Sequence, residues 1–581
     1  MKKSWKIILI AVIILIFPSI TLAAELLEKV DFYIDPSYDS ENREKITAVL
    51  QRITDQLYFY LDEDWWEGLS IEKQKEVNQL ISELSQEFEN TIYPILTLNY
   101  GSEWKPGIDE DNRITILIHP MKKEAGGYFN PGDEYPWAQV AKSNQREMIY
   151  LNSKQITSPL NKSFLAHEFT HLITFNQKEK KYGVSEEVWL NEARAEYSPT
   201  LVGYDEIYQN SYLQRRVKAF LEKPQDSLTE WQGNDSDYGV ANLFIQYLVD
   251  HYGKEILIDS LKSNKTGILS LNYALEKNGF SEDFSQIFTN WLIAVFINDC
   301  QVGSKYCYLN ENLKNLRVTP FIYFLPTTGE STLNVGYLTK DWTGNWQKII
   351  GGRGSLKLEF SAGSGARFKV PYVLETTEGK SVGFLELNQS QKGTVYLKDE
   401  KIISLTLIPS TQNKISNFSE NEPSYQFSWS AVTEKSTKKE EALIVIRLLD
   451  TEFPDYKDVI LPKKEDKRNI ITVNRKLLLE SMRRMIIIGG DQYQGVKITI
   501  GTDYLEMVSV NPDLGDVEEK IEIKYDGEPI EIGFNPKYFI DALQTMDSDI
   551  IFLDIKDQTS PCLITGEQDQ GFLGLIMPMR V

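Results

Sequence analysis

The spacing of apolar residues changes character several times along the chain. An uncharged run at residues 7–24 is interrupted at Pro18. Between about 40 and 100, apolar positions recur at helical intervals in EKITAVLQRITDQLYFYL and QKEVNQLISELSQEF, which predicts helices. Residues 113–119 (RITILIH) and 146–152 (REMIYLN) are short β-rich runs that predict strands, with turn-rich GGYFNPGD between them. Ser158 followed by Pro159 reads as an N-cap and first helical residue, predicting a helix from there to about residue 178. A second helix is expected from about residue 185 and should stop at Pro199, with helical pattern continuing to about residue 298.

Residues 318–432 switch to short alternating runs rich in Gly, Thr and Ser (SLKLEFSA, ARFKVPYVL, ISLTLIP), the pattern of an all-β sandwich. Residues 433–442 form a charged linker, and the pattern changes again over 443–581. NRKLLLESM from Asn474 aligns with NPKYFIDAL from Asn535, 61 positions later. Each begins with an Asn suited to an N-cap and continues as an amphipathic helix. GVKITI, LEMVSV and EKIEIKY follow the first; DIIFLDI, SPCLIT and LGLIMPM follow the second. A duplicated helix-plus-strands unit is expected, so the fold class is multidomain: α+β, then all-β, then α+β.

The chain has 581 residues, roughly four domains' worth. Its net charge of −22 excludes a protein that coats nucleic acid generally, and 41% apolar residues suffice for packed cores. Lys2, Lys3 and Lys6 precede the N-terminal apolar run, and Thr21-Leu22-Ala23 offers a small-residue cleavage site. That is the layout of a signal peptide over 1–23 and implies a secreted or cell-envelope protein, the alternative being an uncleaved anchor. Three cysteines exclude a disulfide scaffold; Cys300 and Cys307 could close a small loop in an exported chain or remain as buried thiols.

Two of the four histidines lie in His167-Glu168-Phe169-Thr170-His171. On a helix, positions i and i+4 share a face, so both imidazoles can reach one Zn2+ ion, with Glu168 beside it as a base toward zinc-activated water. A third ligand is required. Glu192 in WLNEARAEY, 21 positions after His171, is the candidate, and Glu196, one turn on, suits a hydrogen bond to the free nitrogen of a ligand histidine. His119 reads as structural, and Trp65, Trp66, Trp342 and Trp346 as ordinary core or surface aromatics.

FLAHEFTHLITFNQ with VWLNEARAEY resembles the gluzincin metallopeptidases, most closely the hyicolysin-type group, over roughly residues 90–300. GGYFNPGD, Ser143-Asn144 and MIYLN are similar to that group's approach to its active-site helix. The resemblance implies a zincin-like fold and zinc-dependent peptide-bond hydrolysis. It implies His167, His171 and Glu192 as ligands and Glu168 as general base. It also implies that an extended peptide substrate pairs with the strand before the helix. Tyr238, in DYGVANLFIQYL, resembles the oxyanion-stabilising Tyr of the aminopeptidase branch; His251 is a weaker candidate for that role.

RLLDTEFPDYKDVILP, NPDLGDVEE, EIGFNPKYFIDAL and the terminal MPMRV resemble the beta sliding clamp of bacterial DNA polymerase III over about 443–581. That stretch corresponds to the end of the clamp's second domain and its whole third domain. The resemblance implies a peptide-binding pocket using Pro462, Asn535, Tyr538, Met577, Pro578, Met579 and Arg580, and DNA-facing Lys476, Arg483 and Arg484. It implies clamp-binding peptides and DNA as partners and a cytoplasmic setting. Three readings follow: an exported zinc peptidase carrying a clamp segment, a replication clamp subunit, or two genes joined near the linker.

Overall fold

The computed structural model describes residues 27–122, 125–325, 331–351, 356–363, 365–397, 402–433, 469–489, 495–511, 515–558, 560–569 and 572–579. The expected signal peptide, all but the first linker residue, and the RLLDTEFPDYKDVILP stretch lie outside them. The chain divides into two compact units, Met1–Ala442 and Leu443–Val581.

The first unit opens with a six-stranded sheet of order β1-β2-β3-β4-β6-β5. Its strands are β1 (Lys29–Tyr33), β2 (Lys45–Ile53), β3 (Leu57–Asp62), β4 (Ile114–His119), β5 (Gly127–Tyr128) and β6 (Met148–Asn152). β3, β4 and β6 run parallel, and β4 and β6 are buried at every residue, as strands covered on both faces must be. The helix expected across residues 44–61 is therefore wrong. Ile46, Thr47, Val49 and Ile53 with Tyr58, Phe59 and Tyr60 are β-branched and aromatic, and that preference prevails over an ambiguous apolar spacing. Helix does form later in that region, as α2 (Ile71–Glu87) and α3 (Tyr93–Tyr100), after a short α1 (Glu63–Glu67).

α4 (Asn161–Phe175) starts three residues after Ser158, whose hydroxyl oxygen instead accepts from the Leu160 amide (3.2 Å) in a preceding turn. Every residue of α4 from Ser163 onward is buried. α5 (Val188–Val202) runs through Pro199 rather than stopping there, and ends at Gly203 in the left-handed region (φ 99°). The reason is local. Proline has no N–H for the carbonyl of Ala195, and the Ser198 hydroxyl donates to that carbonyl instead (2.6 Å). α6 (Tyr212–Glu222) and α7 (Asp235–Tyr252) cross at Gly239, where a Cβ would stand 2.5 Å from the Phe220 nitrogen. α8 (Glu255–Leu261), α9 (Gly267–Lys277) and α10 (Phe284–Ile297) complete the helical part, followed by a Cys300–Cys307 disulfide.

The β-rich part packs a four-stranded sheet on a five-stranded one. Leu356, Leu358 and Phe360 of one sheet and Leu405 and Leu407 of the other share a core. This part is continuous with the helices. Trp342 and Trp346 belong to the helical core, and the Trp346 indole donates to the Leu292 carbonyl (2.9 Å). The amides of Asn417 and Phe418 donate to the Glu187 carboxylate (2.6 and 3.3 Å), at the start of α5.

In the second unit, Asn474 precedes α11 (Arg475–Gly489) and Asn535 precedes α12 (Pro536–Gln544). Their side-chain oxygens accept from the amides of Leu477 (3.1 Å) and Lys537 (3.0 Å), so both act as N-caps. The two repeats exchange strands. Asn469–Asn474, before α11, pairs with Ile550–Ile555, after α12; Ile530–Phe534, before α12, pairs with Val496–Ile500, after α11. The two four-stranded sheets that result share one core with both helices. Among the described residues, no helix is long and apolar enough to cross a membrane.

Ser198→Ala orphans the Ala195 carbonyl and is expected to destabilise the protein by about 1–3 kcal/mol in urea unfolding. In a Pro199→Ala background a backbone N–H is restored, and the same change should cost less than about 0.5 kcal/mol.

Candidate functional site

α4 carries His167, Glu168 and His171 in its buried stretch, where polar groups are costly unless compensated. Compensation comes from α5. Glu192 Oε2 lies 3.2 Å from His167 Nε2 and 3.5 Å from His171 Nε2, and the two ring nitrogens face one another at 3.1 Å. Three lone-pair atoms converging in this way suit a cation between them. Ligands about 2.0–2.1 Å from a tetrahedral Zn2+ stand about 3.3 Å from one another, so the residues present fit the group. His167, His171 and Glu192 are the one His/Cys/Asp/Glu cluster of this kind among the described residues.

The electrostatics follow from that crowding. Burial alone would lower the His171 pKa, but the Glu192 charge raises it to about 9. Burial would raise Glu192, yet His171 and His167 hold it well below the carboxylate range. Glu168 makes neither contact, and burial pushes its pKa up.

Glu196, one turn beyond Glu192, places Oε1 3.4 Å from His167 Nδ1, the nitrogen turned away from the cluster. Glu196 is itself fixed. Arg216 donates Nε to Oε2 and Nη2 to Oε1, both at 2.7 Å, and the Tyr212 hydroxyl donates to Oε1 at 2.6 Å. Neither Arg216 nor Tyr212 belongs to a motif. Their spacing at i and i+4 on α6, with a basic residue on an otherwise half-apolar face, is the only signal the sequence offers.

A cleft passes over the cluster, with a smaller arm of about 180 Å³ on the His171 side and a larger one of about 590 Å³ on the other. Tyr238 lines both arms from the first turn of α7, its ring centroid 6.5 Å from that of His167 and 4.6 Å from the Arg216 guanidinium. The Glu192 charge and burial raise its pKa. Tyr38 lines both arms as well, stacked on Tyr128 at 4.5 Å, its pKa raised to about 12 by burial and by Glu168 and Glu192. Sequence reasoning missed Tyr38, because nothing local marks a loop residue far upstream of α4.

The strand before α4 is not available for a substrate as the resemblance implies. β6 pairs on one side with β4 and on the other with β5, so the outer edge belongs to Gly127–Tyr128. A side chain at Gly127 would meet the Tyr150 carbonyl at 2.5 Å and Glu168 Cγ at 3.1 Å, so that edge lies against the cluster. His251 is excluded from the cleft: its Nε2 donates to the Cys307 carbonyl (2.8 Å). His119 is buried at the end of β4, 3.3 Å from Asp39.

In the second unit the Met579 amide donates to the Gly533 carbonyl (2.9 Å), which brings Met577–Met579 alongside the entry to α12. Tyr538, Met577 and Met579 are exposed, whereas Asn535 serves as the cap of α12. Pro462 and Arg580 lie outside the described residues. Lys476 and Arg483 are exposed on α11. Arg484 is not free: it forms an ion pair with Glu519, its Nε donating to Oε2 at 3.0 Å.

Residues 458–580 match the family described as DNA polymerase III beta subunit, C-terminal domain. The C-terminal part matches a sliding-clamp domain. The beta sliding clamp of Pseudomonas putida KT2440 is 34% identical over 137 residues, 23% of this chain and 36% of that protein. The clamp of Vibrio cholerae is 29% identical over 135 residues, again 23% and 36%. The chain thus spans little more than a third of the relatives it matches. Among solved structures, the Thermotoga maritima DNA polymerase III beta subunit covers 40% of this chain and 58% of its own at 24% identity, with a TM-score of 0.21. These matches concern the clamp description and say nothing of peptide hydrolysis.

One titration outside the cluster has a measurable consequence. Burial lowers the His119 pKa to about 4, with Asp39 opposing. An unfolded histidine titrates near 6.5, so the neutral folded form is fully favoured above that pH. The corresponding stability is lost as pH falls from about 6.5 to 4, on the order of 3 kcal/mol. His119→Gln should flatten that limb of a pH series of urea midpoints.

Proposed function

We propose that the first unit is an exported zinc peptidase and the second a sliding-clamp module. The clamp reading is the one that the comparisons back. The peptidase reading rests on one observation, the convergence of His167, His171 and Glu192 beside Glu168 in a cleft. A Zn2+ ion held by those three residues would supply Lewis-acid polarisation of water and of a peptide carbonyl. Glu168, buried and touching neither ligand-cluster partner, takes the proton of the attacking water and delivers it to the departing amine. Tyr238 offers its phenol to the developing oxyanion, with the Arg216 guanidinium against its ring. Glu196 holds the His167 ring in orientation. The expected signal peptide and the Cys300–Cys307 disulfide are both suited to an oxidising compartment.

Glu168→Gln should retain one zinc per chain by metal analysis and lose at least about 1,000-fold in cleavage of a denatured protein substrate. Retained cleavage would remove Glu168 from the role of base.

For the second unit, the match over 458–580 favours binding of clamp-directed peptides through Tyr538 and Met577–Met579. The match covers little more than a third of the clamp relatives' length. Fluorescence polarisation of a labelled clamp-binding peptide with the full chain should show weak binding, with Kd no tighter than about 0.1 mM, abolished by Tyr538→Ala. Tight binding would make the clamp segment a working replication partner. A break in the reading frame across codons 420–460 of the source DNA would instead assign the two units to two genes.

A further inference from the structure

The smaller arm of the cleft continues past His171 along α4. Thr174 and Phe175 follow at i+3 and i+4, and Glu179 at i+8, in the π-helical turn Asn176–Lys180 that extends the helix. All three line the arm, with Phe129 and Pro131 opposite. Eight residues of helix put Glu179 about 12 Å from His171, within reach of a long substrate side chain whose backbone lies over the cluster. The arm's volume of about 180 Å³ is about six water volumes, the room that one such side chain fills.

Carboxylates and lysines meet at the far end, where Glu179 and Glu186 face Lys178 and Lys180. Glu179 accepts from two hydroxyls, Tyr135 Oη (2.8 Å) and Ser185 Oγ (2.9 Å), and among the described residues no cation lies within ion-pair distance of it. The other carboxylate there, Glu186, is already answered by Arg194 (3.1 Å) and Lys178 (3.7 Å). Lys178 is in turn tied to the carbonyls of Ser260 and Ser263. Thr174 is 3% exposed, and its hydroxyl oxygen has no partner although it borders the arm. Phe129 and Phe175 pack on each other, ring centroids 6.0 Å apart, and form one aromatic wall for an aliphatic stem; the Lys180 ammonium stands 5.3 Å from the Phe175 ring and feels the Glu179 charge. A slot with an aromatic wall, a hydroxyl midway and, at its end, a carboxylate held by hydroxyls rather than ion-paired matches an extended side chain with a cationic tip.

We propose that this arm is a side-chain pocket selecting Lys or Arg in the substrate, with Glu179 as the specificity-determining residue. The proposal rests on the peptidase reading for its biological meaning, but not for its test. Two peptides are compared, identical except for one lysine or its uncharged isostere norleucine. With the zinc-loaded full chain, Glu179→Gln should lower kcat/KM for the lysine peptide by about 10- to 100-fold and change the norleucine value by less than about 3-fold. Equal losses on both peptides, or no preference for lysine in the unaltered chain, overturn it.

Equilibrium binding of the same labelled peptides to the Glu168→Gln protein separates the two proposals. If nothing is cleaved but lysine still binds better than norleucine, and Glu179→Gln removes the difference, the peptidase reading fails and the pocket stands. If cleavage occurs without any charge preference in either assay, the pocket fails and the peptidase reading stands. Glu179→Lys, which reverses the charge at the tip, should move preference toward Asp and Glu. A folded Glu179→Lys protein that still prefers lysine also overturns the proposal.

Discussion

Two imidazoles and two carboxylates are buried together on α4 and α5, with a third, Glu192, half-buried between the imidazoles. An unpaired charge in such a place would cost several kcal/mol, so every neighbour is constrained by the need to answer one. Glu192 stands between the imidazoles, Glu196 stands behind one of them, and Arg216 answers Glu196 with two parallel hydrogen bonds. For Arg216 to arrive, α6 must lie close against α7, and Gly239 makes that approach possible. The fold around α4 is thus a set of consequences of burying that charge.

Legibility from the sequence followed the range of the interaction. His167 and His171 were readable because a helix fixes i and i+4, whatever surrounds it. Glu192 and Glu196 were readable because they lie one turn apart on the next amphipathic segment. Arg216 and Tyr38 were not, since their places depend on how α6 and the loop after β1 pack, and no local spacing encodes that. The misreading of residues 44–61 as helix has the same origin: a nine-residue, half-buried strand and a helical face look alike until neighbouring strands are known. At Pro199 the rule about proline was sound, but Ser198 had already supplied the hydrogen bond whose loss the rule assumes.

The second unit shows a different limit. The repeat beginning at Asn474 and Asn535 was visible, and both caps form. What the repeat could not show is that each strand preceding a helix crosses to the other repeat's sheet. Neither half could close its sheet alone, so the duplication is bound into one cooperative body. The same unit has its cationic helix face moderated by Glu519, which takes Arg484 out of the set of freely presented charges.

The bonds from Asn417 and Phe418 to Glu187 also have a temporal meaning. α5 has no side-chain cap of its own, and the carboxylate at its first turn is engaged by backbone made some 230 residues later. A chain emerging from its N-terminus therefore displays α4 long before the anchor of α5 exists. The anchor that holds the start of α5, and with it Glu192, is in place only when the β-rich part has been made and has folded back. In an extended chain the His167–His171–Glu192 cluster is unassembled, and its convergence is deferred until the first unit is whole.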